Sequence, residues 1–131
     1  MLLAETLLPE LQRRFPDRGL RIGVEPESFA FFPAIHPEVG DIQIFDEGDE
    51  LTVVAGNFTH GHFSNYEDEL SVEQKAELIV AGVLNFLDEL FGDRIVLYGS
   101  HAGGGGWYRR EESSAWSDGE KKFVWSGPLL G

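Results

Sequence analysis

From Ser71 to Phe91 the chain carries Val72, Ala76, Ile79, Val80, Val83, Leu84, Leu87, Leu90 and Phe91, mostly at spacings of three and four. Glu73, Glu77, Asp88 and Glu89 lie mostly off that stripe. Apolar residues so spaced share one face of an α-helix. A face this wide needs a broad apolar partner, and a sheet is the partner that supplies one. Ser71 and Gln74 read as a capping box, Glu73 adds negative charge to the first turn, and Gly92 is the C-terminal stop. The pattern predicts a helix over 71–91 lying flat on a sheet, its apolar face in the core.

The remaining segments provide that sheet and one further helix. Leu3, Leu7, Leu8, Leu11 and Phe15 predict a helix over 2–15, ended by Pro16-Asp17-Arg18-Gly19. Pro9 either kinks it or begins a shorter one. Residues 20–25 alternate, with Leu20, Ile22 and Val24 on one half-buried face. Further strands are expected at 29–32, 41–46, 50–56, 94–99, 105–110 and 121–126, with Glu47-Gly48-Asp49 as a hairpin turn. The connections are too short for repeated helical crossovers. The expected fold is therefore α+β: a mainly antiparallel sheet of about six to seven strands, with both helices on one face. With 131 residues, the chain suits a single globular domain over 1–131.

Charge limits the partners. Ten Lys and Arg residues face 23 Asp and Glu, a net charge of −13. Such a field repels nucleic acid and anionic membranes and speeds encounter with cations or basic proteins. It also serves plain solubility. The chain has no cysteine, so disulfides, thiolate metal sites and thiol catalysis are excluded. Residues 1–15 lack a basic start and Glu5 interrupts their apolar run, which argues against a signal peptide. No stretch has the ~20 apolar residues of a membrane span. The expectation is a cytoplasmic protein without a cofactor.

Among motifs that carry chemistry, His60-Gly61-His62 is the first candidate. If the strand from 50 continues to 63, both imidazoles point to the same side, with Cα atoms roughly 6.5–7 Å apart. Neutral imidazoles so placed suit a zinc-sized ion. Candidate third ligands are His36, His101, Glu67 and Asp68. Alternatively, the pair ends a strand or lies in a polar loop. Asn57, Thr59, His60, His62, Ser64, Asn65, Tyr66, Glu67, Asp68 and Glu69 form a polar cluster between strand and capped helix, a position from which loops often act.

The other stretches carry less chemistry. The glycine run Gly103–Gly106 resembles a phosphate loop only in composition. It leads into Trp107-Tyr108-Arg109-Arg110, which reads as a strand, whereas a phosphate loop needs a helix N-terminus and usually a Lys. One of Arg109 and Arg110 is expected to pair with an acidic neighbour such as Glu111 or Glu112, or else to anchor a carboxylate or phosphate ligand. Trp107 and Trp125 read as packing residues, and Trp116 as a loop residue tucked back onto the body. The acidic turn at 46–50 does not fit a calcium loop, and no nucleophile motif is present. Asn57, His60, His62, Tyr66, His101, Trp107 and Arg109 are the candidate binding residues, and His60 and His62 the candidate metal ligands. The functional expectation is a binding protein, of inhibitor or immunity type, that captures a basic partner. The alternative is a small metal-dependent hydrolase with His60 and His62 as ligands.

Overall fold

The computed structural model describes residues 2–23, 28–56, 58–100, 104–109 and 121–128. Helix α1 (Leu2–Arg14) precedes strands β1 (Arg21–Ile22), β2 (Ala30–Phe32), β3 (Ile42–Asp46), β4 (Glu50–Ala55) and β5 (Thr59–Ser64). Helix α2 (Val72–Phe91) follows, then β6 (Ile95–Ser100), β7 (Gly104–Arg109), β8 (Lys121–Val124) and β9 (Gly127–Pro128). The strands form two antiparallel sheets, ordered β1-β2-β3-β4-β5 and β7-β6-β8-β9. The fold is α+β. Edge strands β5 and β7 lie side by side, and α2 packs across strands of both sheets. Among the described residues no helix is long and apolar enough to cross a membrane.

The alternation of side chains along each strand decides what faces the helices. Phe32, Ile42, Ile44, Leu51, Val53 and Ala55 turn inward onto Leu3, Leu7, Leu11 and Phe15 of the α1 segment and onto the stripe of α2. Ile95, Leu97 and Phe123 of the second sheet and the neighbouring Trp125 join the same core. Phe91 is the meeting point, with Phe15, Phe32 and Trp125 at centroid distances of 5.1, 5.0 and 5.3 Å. Trp125 is only 1% exposed, and its indole N–H has no acceptor among the described residues. Burial of a Trp ring contributes roughly 4–6 kcal/mol, against about 1–3 kcal/mol for one orphaned donor, so packing outweighs the lost bond.

Both ends of α2 are fixed by specific contacts. Ser71 accepts from the Gln74 N–H at 3.1 Å, and the Gln74 side chain accepts from the Ser71 N–H at 2.9 Å. At the other end the stop is not a left-handed glycine: Gly92 has φ −86°, and the left-handed residue is Asp93 at φ 59°. Arg94 N–H donates to Glu89 O and Asp93 N–H to Leu90 O, the Schellman pattern. The Asp93 carboxylate also accepts from the Ser126 N–H and hydroxyl, at 3.1 and 2.6 Å. Those bonds tie the helix end to the second sheet and help offset the backbone strain.

Several expected boundaries shift. Pro9 lies inside α1, where burial of Leu3, Leu7, Leu11 and Phe15 on either side compensates for its missing N–H. Of the strand expected at 20–25, the described residues show Arg21–Ile22, with Ile22 48% exposed and Gly23 at φ 63° turning the chain, and Val24 and Glu25 lie outside the described residues. The strand expected over 50–56 is β4, ending at Ala55, and a separate antiparallel strand, β5 from Thr59, carries His60 and His62. Gly56 makes the reversal. Its φ is 58°, and a Cβ there would stand 1.9 Å from the Val39 carbonyl oxygen, a place only glycine fills.

Leu87 is fully buried on α2. Leu87→Ala is expected to destabilise the fold by about 2–5 kcal/mol in urea denaturation. A loss under about 0.5 kcal/mol would contradict the packing described. Ser71→Ala removes one half of the capping box and is expected to cost about 0.5–2 kcal/mol. Ser71→Asp, which restores an acceptor, should recover most of it.

Candidate functional site

His60 and His62 stand on β5 on the face turned away from the helices, and both are exposed. The residues between and beside them do the opposite. Phe63 points inward against Phe86 of α2, at 5.8 Å between ring centres, and Gly61 lies beneath Phe63 and the Trp107 indole. The motif is thus a core-closing strand whose alternate residues are free for other use.

Pairing with β4 supplies the neighbours that the linear motif lacked. Register sets Thr52 opposite His62, Val54 opposite His60 and Glu50 opposite Ser64. The His62 Nδ1 lies 3.1 Å from Glu50 Oε1 and 3.1 Å from the Thr52 hydroxyl oxygen. An ionised carboxylate only accepts, so the proton between them belongs to Nδ1 and the neutral ring keeps its lone pair at Nε2. The His60 and His62 rings meet edge-on with centres 5.0 Å apart and planes at 85°.

Farther across the same outer face, β-register continues the row as Arg21, Phe31, Gln43, Val54 and His60. Phe45 stands opposite Thr52 in the next row. Phe45 and Val54 are half-buried, and Arg21 reaches over the Phe31 ring at 5.7 Å. Both helices pack on the opposite side of this sheet.

At one end of this face the chain gathers acid. The Glu47–Asp49 turn precedes Glu50, and the segment from Asn65 to Glu69 follows Ser64, the partner of Glu50. Glu47, Asp49, Glu67, Asp68 and Glu69 are exposed, and Tyr66 among them is 66% exposed.

Other sequence candidates sit elsewhere. Trp107 packs edge-on to Phe86 at 4.9 Å, on the helix side of its sheet. Arg109 is bound by Glu89 of α2, Nε to Oε2 at 2.7 Å, a partner the sequence did not suggest. Arg109 and Trp107 both reach α2 from the inner side of β7, a proximity that sequence separation conceals. His36 lies in the β2–β3 loop against Gly127, and its Nδ1 accepts from the Glu38 N–H at 3.2 Å. Asn57, His101, Arg110, Glu111, Glu112 and Trp116 lie outside the described residues.

Among the described residues no group of three or more His, Asp or Glu side chains is arranged to hold a metal ion. A cleft of about 400 Å³ lies between the α1–β1 turn and the end of α2. Arg14 and Arg18 there are balanced by Asp17 and Asp88, and Arg18 already stacks on Phe91 at 4.9 Å and donates to its carbonyl. Tyr108, on the outer side of the second sheet, has its phenol pKa raised above the usual value by burial and by neighbouring Tyr98. Comparison with protein-family models, curated proteins and solved structures finds no match, so the reading of the site rests on its own geometry.

Because His60 and His62 are exposed, the double substitution His60→Ala, His62→Ala is expected to change unfolding free energy by less than about 1 kcal/mol. A loss above about 2 kcal/mol in urea would make the pair a structural element.

Proposed function

We propose that this is a binding protein without catalytic activity, which captures a basic partner on the outer face of the five-stranded sheet. One observation carries the reading: β4–β5 register sets two exposed acidic segments, one of them holding the exposed Tyr66, at one end of a face that no described helix covers. The acidic rim attracts and orients a cationic partner, and the net charge of −13 extends that attraction over the whole molecule. Tyr66 offers a large, partly polar ring for a central contact. Phe45 and Val54 supply apolar area, while Thr52, Glu50, His60 and His62 supply hydrogen-bonding groups. An inhibitor or immunity-type role, in which an acidic protein neutralises a basic enzyme, is the specific form this takes. The hydrolase alternative has less support. Catalytic zinc usually takes three protein ligands, and among the described residues His60 and His62 are joined by a carboxylate hydrogen-bonded to one of them.

The test is association kinetics with a basic protein recovered on the immobilised chain. Its association rate is expected to fall steeply between low salt and 0.15 M, where the screening length is about 8 Å. Tyr66→Ala should weaken binding by about tenfold or more. Leu78→Arg, on the exposed side of α2, should leave it unchanged. A rate independent of salt would remove steering from the account, and full binding by Tyr66→Ala would move the contact off this end of the sheet.

A further inference from the structure

We propose that His60 and His62 form a chelating site for a borderline divalent cation, copper(II) ahead of zinc(II), with Glu50 as the carboxylate that positions His62. The site does not depend on the nature of any protein partner.

The spacing fits one ion. Metal–nitrogen distances of about 2.0–2.1 Å and an N–metal–N angle between the tetragonal ~90° of copper(II) and the tetrahedral ~109° of zinc(II) place two imidazoles bound to one ion with ring centres roughly 4.5–5 Å apart. The rings of His60 and His62 already stand with centres 5.0 Å apart. They stand on alternate residues of one paired strand, so the backbone fixes their separation before any ion arrives. A preformed pair binds better than two free imidazoles because the entropy of bringing the ligands together has been met in folding.

Glu50 gives the second, independent reason. It lies 3.1 Å from the His62 Nδ1, and the Thr52 hydroxyl lies at the same distance. This is the arrangement that orients metal-binding histidines: one ring nitrogen donates to a carboxylate, which fixes the tautomer and makes the other nitrogen a better donor to the ion. The His62 side chain is 51% exposed, so Nε2 chemistry is open to solvent. Two imidazoles leave the remaining coordination positions to water. This is binding without the three protein ligands a catalytic zinc site uses. Imidazole ligands favour copper and zinc, whereas calcium and magnesium demand oxygen ligands.

The test is calorimetric titration of the chelator-treated protein, near neutral pH, with copper(II), zinc(II), magnesium and calcium salts. One equivalent of copper(II) is expected to bind more tightly than zinc(II), and magnesium or calcium in excess should not displace it. His60→Ala and His62→Ala should each weaken copper binding by about tenfold or more, and Glu50→Gln by roughly tenfold. Electron paramagnetic resonance of the copper complex should show coupling to two imidazole nitrogens, reduced to one in His60→Ala. His60 contacts neither Glu50 nor Thr52 through the bonds described, so His60→Ala alone carries the test if His62→Ala fails to fold. Undiminished copper binding by the double variant would overturn the proposal, as would displacement by magnesium or the absence of saturable binding.

Discussion

Burial of the apolar stripe of α2 is the interaction on which the other elements depend. Both sheets turn their inner faces to it, and α1 packs beside it. Each fully buried Leu, Ile, Val or Phe contributes about 1.5–3 kcal/mol, so a stripe running from Ala76 to Phe91 outweighs any single polar contact in the chain. Phe91 joins α1, β2 and the second sheet through the rings of Phe15, Phe32 and Trp125. The capping box at Ser71 and the Asp93–Ser126 bonds fix where the helix begins and ends. The helix therefore sets the relative placement of two sheets for which no mutual ladder is described.

That placement creates the candidate site as its reverse side. Residues of β3, β4 and β5 that satisfy α2 alternate with residues that cannot reach it. Gly61 and Phe63 close the seam with Trp107 and Gly82, and this leaves His60 and His62 on the open side. The same alternation on β4 sends Leu51 and Val53 inward and presents Glu50 and Thr52 to His62. Side chains held on paired strands keep their spacing without ordering cost at the moment of binding. The imidazole pair stands on that paired-strand frame, and the exposed Tyr66 and acids of residues 67–69 follow it in the chain.

Arg109 shows how the core limits what a conspicuous residue does. In a chain of −13 net charge an arginine looks available for an anionic ligand. Its place on the inner side of β7 puts it against Glu89, which also accepts from Asn85 at 3.1 Å. The charge is spent on holding β7 to α2. Trp107, two residues earlier on the same side, packs on Phe86 for the same reason.

The sequence by itself determined the elements with strong local signals. The helix at 71–91, its capping box, the first helix and the turn after Asp46 all follow from periodicity and capping chemistry, because those interactions close within a few residues. The α+β class followed from the order of elements. The strand over 50–56 was legible to within a residue of its end, whereas the return strand Thr59–Ser64 reads in sequence as either a continuation or a polar loop. The same-side placement of His60 and His62 was legible, since the period of two holds whichever strand bears them. Tertiary structure alone decided the rest. Glu50 and Thr52 join His62 through cross-strand register, His36 goes to Gly127, and Arg109 goes to Glu89. The physical reason is one of range: capping and periodicity act between neighbours in sequence, whereas register, sheet division and ion pairing are fixed only when distant segments bury their apolar faces on one helix.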